Sequence, residues 1–163
     1  MLSLSKKTDY ALLALSYLTE VGAERSANTK EIAEKYDIPV ELLAKVLQRL
    51  AKGRLITSTA GPAGGYRLAR APEAISIGTV IEIVDGTPAI AQCMKTDAHF
   101  CDQQSKCTIR HPLARINARI LQMLSLISIA EITRDDPTES AIPFLSRRET
   151  LTPLAIEAAQ QNR

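Results

Sequence analysis

A chain of 163 residues with 45% hydrophobic side chains holds enough apolar material for one packed domain, or for one domain with an appended element. Aromatics supply only 4% and Trp is absent, so the core is expected to be built from Leu, Ile, Val and Ala, as in helical proteins. The net charge of +2 is too small to argue for a nucleic-acid partner on its own, and no run of 18 apolar residues exists to span a membrane. The charge is uneven, however. Residues 1–70 carry 11 Lys and Arg against 7 Asp and Glu, whereas residues 71–163 carry 9 against 11, which favours an anion-binding N-terminal half. The opening MLSLSKKTDY lacks the apolar core and cleavage site of a secretory signal, so a soluble, cytoplasmic chain with reduced thiols is expected.

Taken in order, Thr8 to Val21 is the first predicted helix, with Tyr10, Leu13, Ala14, Tyr17, Leu18 and Val21 recurring at three- and four-residue steps. Gly22 stops it. Asn28 has the character of an N-cap, with Glu31 at the capping-box spacing, and opens a short helix to Tyr36. Asp37-Ile38 makes a tight connection, and Pro39 falls where the first turn of a helix tolerates a missing N–H. The third helix, Val40 to Lys52, is expected to bury Leu43, Val46, Leu47 and Leu50. It would expose Glu41, Ala44, Lys45, Gln48, Arg49 and Lys52. Two helices joined by a tight turn, the second basic on its outer face, form a helix-turn-helix pattern; a solvated charged face is the competing reading.

Gly53 closes that helix, and the β-branched Leu55–Thr59 stretch, a Gly61-Pro62-Ala63-Gly64-Gly65 turn and Tyr66–Leu68 follow as a strand pair. Helix, helix, strand, glycine turn, strand is a winged arrangement, in which Gly64 and Gly65 would let the backbone approach a phosphate or a minor groove. After Pro72, Ser76 caps a fourth helix through Ile77, Val80, Ile81 and Val84, ended by Asp85-Gly86. A long helix then runs from Leu113 to about Ile132. Its broad apolar surface can cover two neighbours, either in a dimer or in the core of one chain. The fold class expected is mainly α with a small β wing, a winged helix-turn-helix plus a long dimerisation helix. The division expected is a DNA-binding domain at 1–70, a cysteine loop and dimerisation helix at 71–134, and a mobile tail at 135–163 that includes a short helix from Thr152 to Ala159.

Between the fourth and fifth helices lie all three cysteines, Cys93, Cys101 and Cys107, and both histidines, His99 and His111. The gaps are seven, five and three residues, and Lys95, Asp97, Asp102, Gln103, Gln104, Ser105 and Lys106 crowd the thiols. A polar segment is a poor place for cysteines acting as small hydrophobes. A thiolate cage for a soft metal centre fits better, and the spacing alone does not choose between an iron–sulfur cluster and zinc. An odd cysteine count excludes complete pairing within the chain. There is no nucleophile–base pair and no phosphate-binding glycine signature, so an enzyme is not expected.

The opening LSKKTDYALLAL, EIAEKYDIP, the wing GPAGGYRLAR, ISIGTVIEIVDG and the C-x7-C-x5-C loop together resemble the Rrf group of bacterial winged-helix transcription regulators, the IscR, NsrR and RirA type, over about residues 1–132. The resemblance implies a homodimer that binds double-stranded DNA, acting as a repressor. It also implies an iron–sulfur cluster, of two or four irons, that controls DNA affinity in response to iron, redox or nitric oxide status. Cys93, Cys101 and Cys107 match the three cluster cysteines, with the seven-residue first gap closer to the RirA type. Asp9 matches the acidic fourth ligand that a second subunit donates in NsrR-like members; it equally suits the first turn of a helix. His111 is the alternative, set one residue further from the last cysteine than in IscR-like members, and His99 is a third.

DNA-binding positions implied are Glu41, Lys45, Gln48, Arg49 and Lys52, with Gly64, Gly65 and Tyr66 in the wing. Glu41 and Lys45 have the chemistry of base readers, whereas Arg49 and Lys52 suit phosphates. Ala60 replaces the wing Arg of IscR-like members, so their operator does not carry over. The rivals are a structural zinc protein or a partner-binding adaptor in which the winged fold binds protein, and a cluster-free relative whose thiols sense oxidants directly.

Overall fold

The structure is a computed structural model that describes residues 4–61, 64–94, 101, 103 and 105–134. The first helix, α1 (Lys6–Val21), starts at Ser5, whose hydroxyl accepts from the Thr8 amide at 3.3 Å. Its buried face is Thr8, Ala11, Ala14, Leu15 and Leu18, while Leu13 is 37% exposed and Tyr10 and Tyr17 are half-buried. The inward stripe is therefore displaced from the one predicted. Three other helices pack on α1, and its small residues, Ala11 and Ala14, permit that close approach.

Asn28 caps α2 (Thr29–Lys35) by accepting from the Glu31 amide at 2.9 Å. The turn after α2 places Asp37 in the left-handed region at φ 52°, a conformation Asp tolerates better than most residues, and Ile38 N–H returns to Ala33 C=O at 2.9 Å. Pro39 then stands just before α3 (Val40–Lys52), as its N-cap, rather than inside the first turn. Leu43, Val46, Leu47 and Leu50 are buried as the pattern predicts. α3 ends in two bonds, Leu55 N–H to Leu50 C=O and Arg54 N–H to Ala51 C=O, both 3.0 Å, with Arg54 left-handed at φ 58°. Gly53 is not the left-handed residue. A Cβ on Gly53 would lie 2.5 Å from Ile83 Cδ1, so a side chain there would have to displace the Ile83 side chain of the next helix.

The wing is β1 (Ile56–Thr59) antiparallel to β2 (Gly65–Leu68), with Ile56 opposite Leu68 and Thr59 opposite Gly65. Ala27 adds a short rung by exchanging both backbone hydrogen bonds with Tyr66 at 2.9 and 2.8 Å. The glycines have internal reasons for being glycines. A Cβ on Gly64 would sit 2.4 Å from the Thr59 carbonyl oxygen, and one on Gly65 would sit 2.6 Å from that of Ala27. Gly65→Ala is expected to destabilise the protein by about 1–3 kcal/mol through this backbone clash. A thermal melt measures it, and an unchanged midpoint would mean that the Ala27 rung yields freely.

Ser76 caps α4 (Ile77–Asp85), accepting from the Thr79 amide at 3.2 Å. The helix expected to run to Ile132 is broken into α5 (Arg110–Leu126) and α6 (Ile129–Thr133). Ile127 is extended, its carbonyl accepts from Ile77 N–H at 2.9 Å, and Ile129 N–H donates to the Ile75 carbonyl at 2.8 Å. Ser128 and Glu131 form a reciprocal capping box that restarts the helix, turning Ile129 and Ala130 into the core against α1.

Along α5, Leu113, Asn117, Ile120, Leu121 and Leu124 are half-buried. Ile116, Met123 and Leu126 are exposed, the last at 73%, so α5 is not a core helix covered on both sides. The buried cluster is continuous from Ala11 through the α3 leucines to Ile75, Val80, Val84 and Ile129. The architecture is mainly helical with a two-stranded antiparallel wing. Among the described residues no helix is long and apolar enough to cross a membrane. The expected tail at 135–163, with its short helix, lies outside the described residues, as do Pro62, Ala63 and His99.

Candidate nucleic-acid interface and cysteine segment

Burial of Leu43, Val46, Leu47 and Leu50 fixes what α3 shows to solvent. Glu41, Lys45, Gln48 and Lys52 recur at four- and three-residue steps on the opposite side, and all are exposed. Among the described residues, none of these four takes part in an ion pair or side-chain hydrogen bond. They are therefore available to an outside partner. Arg49 differs. On the flank of the stripe, its Nη1 donates to the backbone carbonyl of Val84 in α4. In the wing, Gly64, Gly65 and Tyr66 are half-buried, and the Tyr66 ring packs against the core.

The helix that precedes α3, α2, is tied to α1 by contacts around Glu31. The Tyr17 hydroxyl donates to Glu31 Oε1 at 2.6 Å, Arg25 donates to the same oxygen, and the Tyr17 and Tyr36 rings meet edge-on at 6.2 Å. The Tyr17 hydrogen bond, helped by Arg25, outweighs burial and holds the Glu31 carboxyl below its ordinary pKa. Glu31 thus ties α2 to α1, in place of the capping-box contact with Asn28 that its spacing predicts.

Of the cysteines, Cys93 is half-buried in a 3-10 turn at Gln92–Met94, Cys101 is exposed, and Cys107 is half-buried three residues before α5. All three are free thiols. The approach to Cys93 is anchored by Ile90 N–H donating to the Asn117 side-chain oxygen of α5 at 3.0 Å. Asp9, on the first turn of α1, pairs with Lys6 at 3.5 Å across a largely exposed surface, an interaction of small energetic value. His111 is exposed on the first turn of α5. Among the described residues no three His, Cys, Asp or Glu side chains converge on a metal position, so the three cysteines and Asp9 are not brought together within one chain. The donor chemistry nevertheless fits a soft centre: three free thiols, none of them fully buried, are the ligand type such a centre takes.

Sequence reasoning missed two residues here. Asp85, read only as a helix stop, accepts from Ser5 Oγ and Thr8 Oγ1, both at 2.7 Å, and Thr8 is completely buried. Burial pushes the Asp85 carboxyl up, but the bonds from Ser5 and Thr8 outweigh it and leave the pKa below its ordinary value. Asn117 is the second, a polar side chain within the half-buried face of α5. Its place on that otherwise apolar stripe was the available signal.

An amphipathic second helix set by a tight turn, a two-stranded wing and a helical C-terminal part define a winged-helix transcription regulator. Residues 4–135 match the model of the Rrf2 family, described as iron-dependent transcriptional regulators, and the chain belongs to that family. It is 29% identical over 135 residues to the HTH-type transcriptional regulator NsrR of Oceanobacillus iheyensis, covering 83% of this chain and 92% of that one. Its fold is similar to that of CymR, the global cysteine regulator of B. subtilis, with a TM-score of 0.68, 22% identity, and 82% and 97% of the two chains covered. T. potens IscR aligns with a TM-score of 0.63 and 26% identity over 89% and 96% of the chains. These relatives are transcriptional regulators, not enzymes.

Proposed function

We propose that the protein is a cytoplasmic, homodimeric repressor whose affinity for double-stranded DNA is set by an iron–sulfur cluster held by Cys93, Cys101 and Cys107. Asp9 of the second copy would serve as the fourth ligand and His111 as the alternative. The observation that carries the DNA half of the reading is the unpaired outer face of α3, Glu41, Lys45, Gln48 and Lys52, on the helix that follows a tight turn. What supports the cluster half is three free thiols in one polar segment, together with the family's description as iron-dependent regulators. The cluster would supply a redox-active, iron-dependent centre.

A second copy has a place to bind. Ile109, Ile116 and Met123, exposed at 59, 47 and 54%, recur every seven residues along one side of α5 and its N-cap, the spacing of a helix–helix seam. Two copies paired there present two α3 helices at a fixed separation, and a dimer reads two half-sites only when that separation matches the groove repeat. Glu41 would accept from a cytosine amino group and Lys45 would donate to a guanine edge, while Lys52 holds a phosphate and sets register. The domain division follows the same logic: residues 1–70 read DNA, and residues 71–134 hold the ligands and pair the copies.

Lys45→Ala is expected to weaken binding to the operator by about 1–3 kcal/mol, or roughly 5- to 150-fold, while non-specific binding falls much less. Titration of both DNAs at one salt concentration measures it. Equal losses would make Lys45 a phosphate contact.

A further inference from the structure

We propose that the last turn of α4 is the joint between the cysteine segment and the DNA-reading helix, and that Arg49 is a positioning residue within it rather than a phosphate ligand. This rests on the DNA-binding and cluster reading above and specifies how its two halves are connected.

The observations converge on three consecutive residues. The Ile83 side chain fills the space a Cβ would occupy on Gly53, at the end of α3. The Val84 carbonyl, one of the acceptors that a helix end leaves without an internal partner, receives Arg49 from α3. The Asp85 carboxylate receives Ser5 and Thr8 from the first turn of α1, where a negative charge is also favoured by the helix N-terminus. One turn of α4 thus holds α3 on one side and α1 on the other.

What lies beyond that turn is the cysteine segment. Gly86 follows Asp85 directly, the chain is pinned to α5 at Ile90 through Asn117, and Cys93 comes three residues later. Asp9, the proposed fourth ligand, is adjacent to Thr8 in the clamp on Asp85. A change of ligation at Cys93 or Asp9 therefore reaches the α4 turn from both ends. Arg49 and the Gly53–Ile83 packing pass it to α3. The Val84 bond holds the Arg49 guanidinium toward α4, whereas its neighbours Lys45 and Lys52 make no such contact among the described residues and are left to meet DNA.

The test is Arg49→Met, which keeps the long stem and removes the donor, with Arg49→Lys as its charged counterpart. Operator affinity is measured anaerobically over a series of salt concentrations, for the iron-loaded protein and for the Cys101→Ala background. In Arg49→Met, the salt dependence is expected to match that of the parent protein, while the affinity ratio between the loaded and cysteine-mutant forms falls at least 5-fold toward one. Arg49→Lys, which retains charge but not the forked donor geometry, is expected to behave like Arg49→Met.

A log–log salt slope shallower by about 0.9 in Arg49→Met, the change that follows when one phosphate is no longer neutralised, would overturn the proposal. So would restoration of affinity by lysine, or an unchanged ratio. Wild-type protein that holds no iron would contradict the regulatory reading itself, and the coupling with it. In that case the salt slope still decides whether Arg49 touches DNA.

Discussion

Cys101→Ala, purified without oxygen, is expected to be a folded dimer that retains no iron or sulfide. Its operator affinity should differ from that of the loaded wild type by about 5- to 150-fold, the span of ordinary coupling free energies of 1–3 kcal/mol. Cys101 is exposed and absent from the continuous buried cluster, so replacing its thiol removes a proposed ligand and leaves the core intact. Cluster binding and DNA binding must also influence each other by the same factor, so operator DNA should change the stability of the loaded form to the same extent. Circular dichroism, sedimentation and DNA titration together provide the check. An unfolded Cys101→Ala protein would instead make the metal a structural element, as in a zinc-stabilised domain.

Leu47→Ala is expected to have the largest effect on stability. Leu47 is completely buried in the continuous core, and deleting its side chain leaves a cavity that costs about 2–5 kcal/mol. Against a typical total of roughly 5–15 kcal/mol this is a large fraction. At about 2–4 °C per kcal/mol, the melting temperature should drop by about 4–20 °C. The variant is expected to retain the proposed cluster when kept cold, because none of the cysteines belongs to the buried core around Leu47. A loss below about 1 kcal/mol would mean that α3 repacks around the missing side chain, and that its outer face is less rigidly presented than proposed.

The parts of this fold that were legible in the sequence are those set by local chemistry. The four buried side chains of α3 follow from helical spacing alone, and Asn28 and Ser76 cap the helices that their positions predict. The buried stripe of α1 was less legible because the helix is central: packed by three neighbours, it turns Ala11 and Ala14 inward, and spacing arguments weigh large side chains over small ones. The break at Ile127 was hidden by continuous apolar spacing, although Ser128 and Glu131 already had capping-box separation in the sequence.

Interactions between distant segments leave no comparable trace. Gly53 caps α3 as its position predicts, but the close approach of Ile83 to it is not written in the sequence, nor is that of the Ala27 carbonyl to Gly65. The bond from Arg49 to a carbonyl 35 residues away likewise has no signature in the sequence. For the candidate site, the face of α3 and the set of cysteines were visible as residue types at set spacings. Asp85 and Asn117, which hold the surrounding segments in place, were not.

Iron and sulfide analysis, with a visible spectrum of the anaerobically purified protein, tests most directly whether Cys93, Cys101 and Cys107 serve an iron–sulfur cluster in a DNA-binding regulator. A brown protein with matching iron and sulfide is predicted, their number giving two or four irons per site. A colourless protein containing zinc, or binding nothing after anaerobic reconstitution, would contradict it.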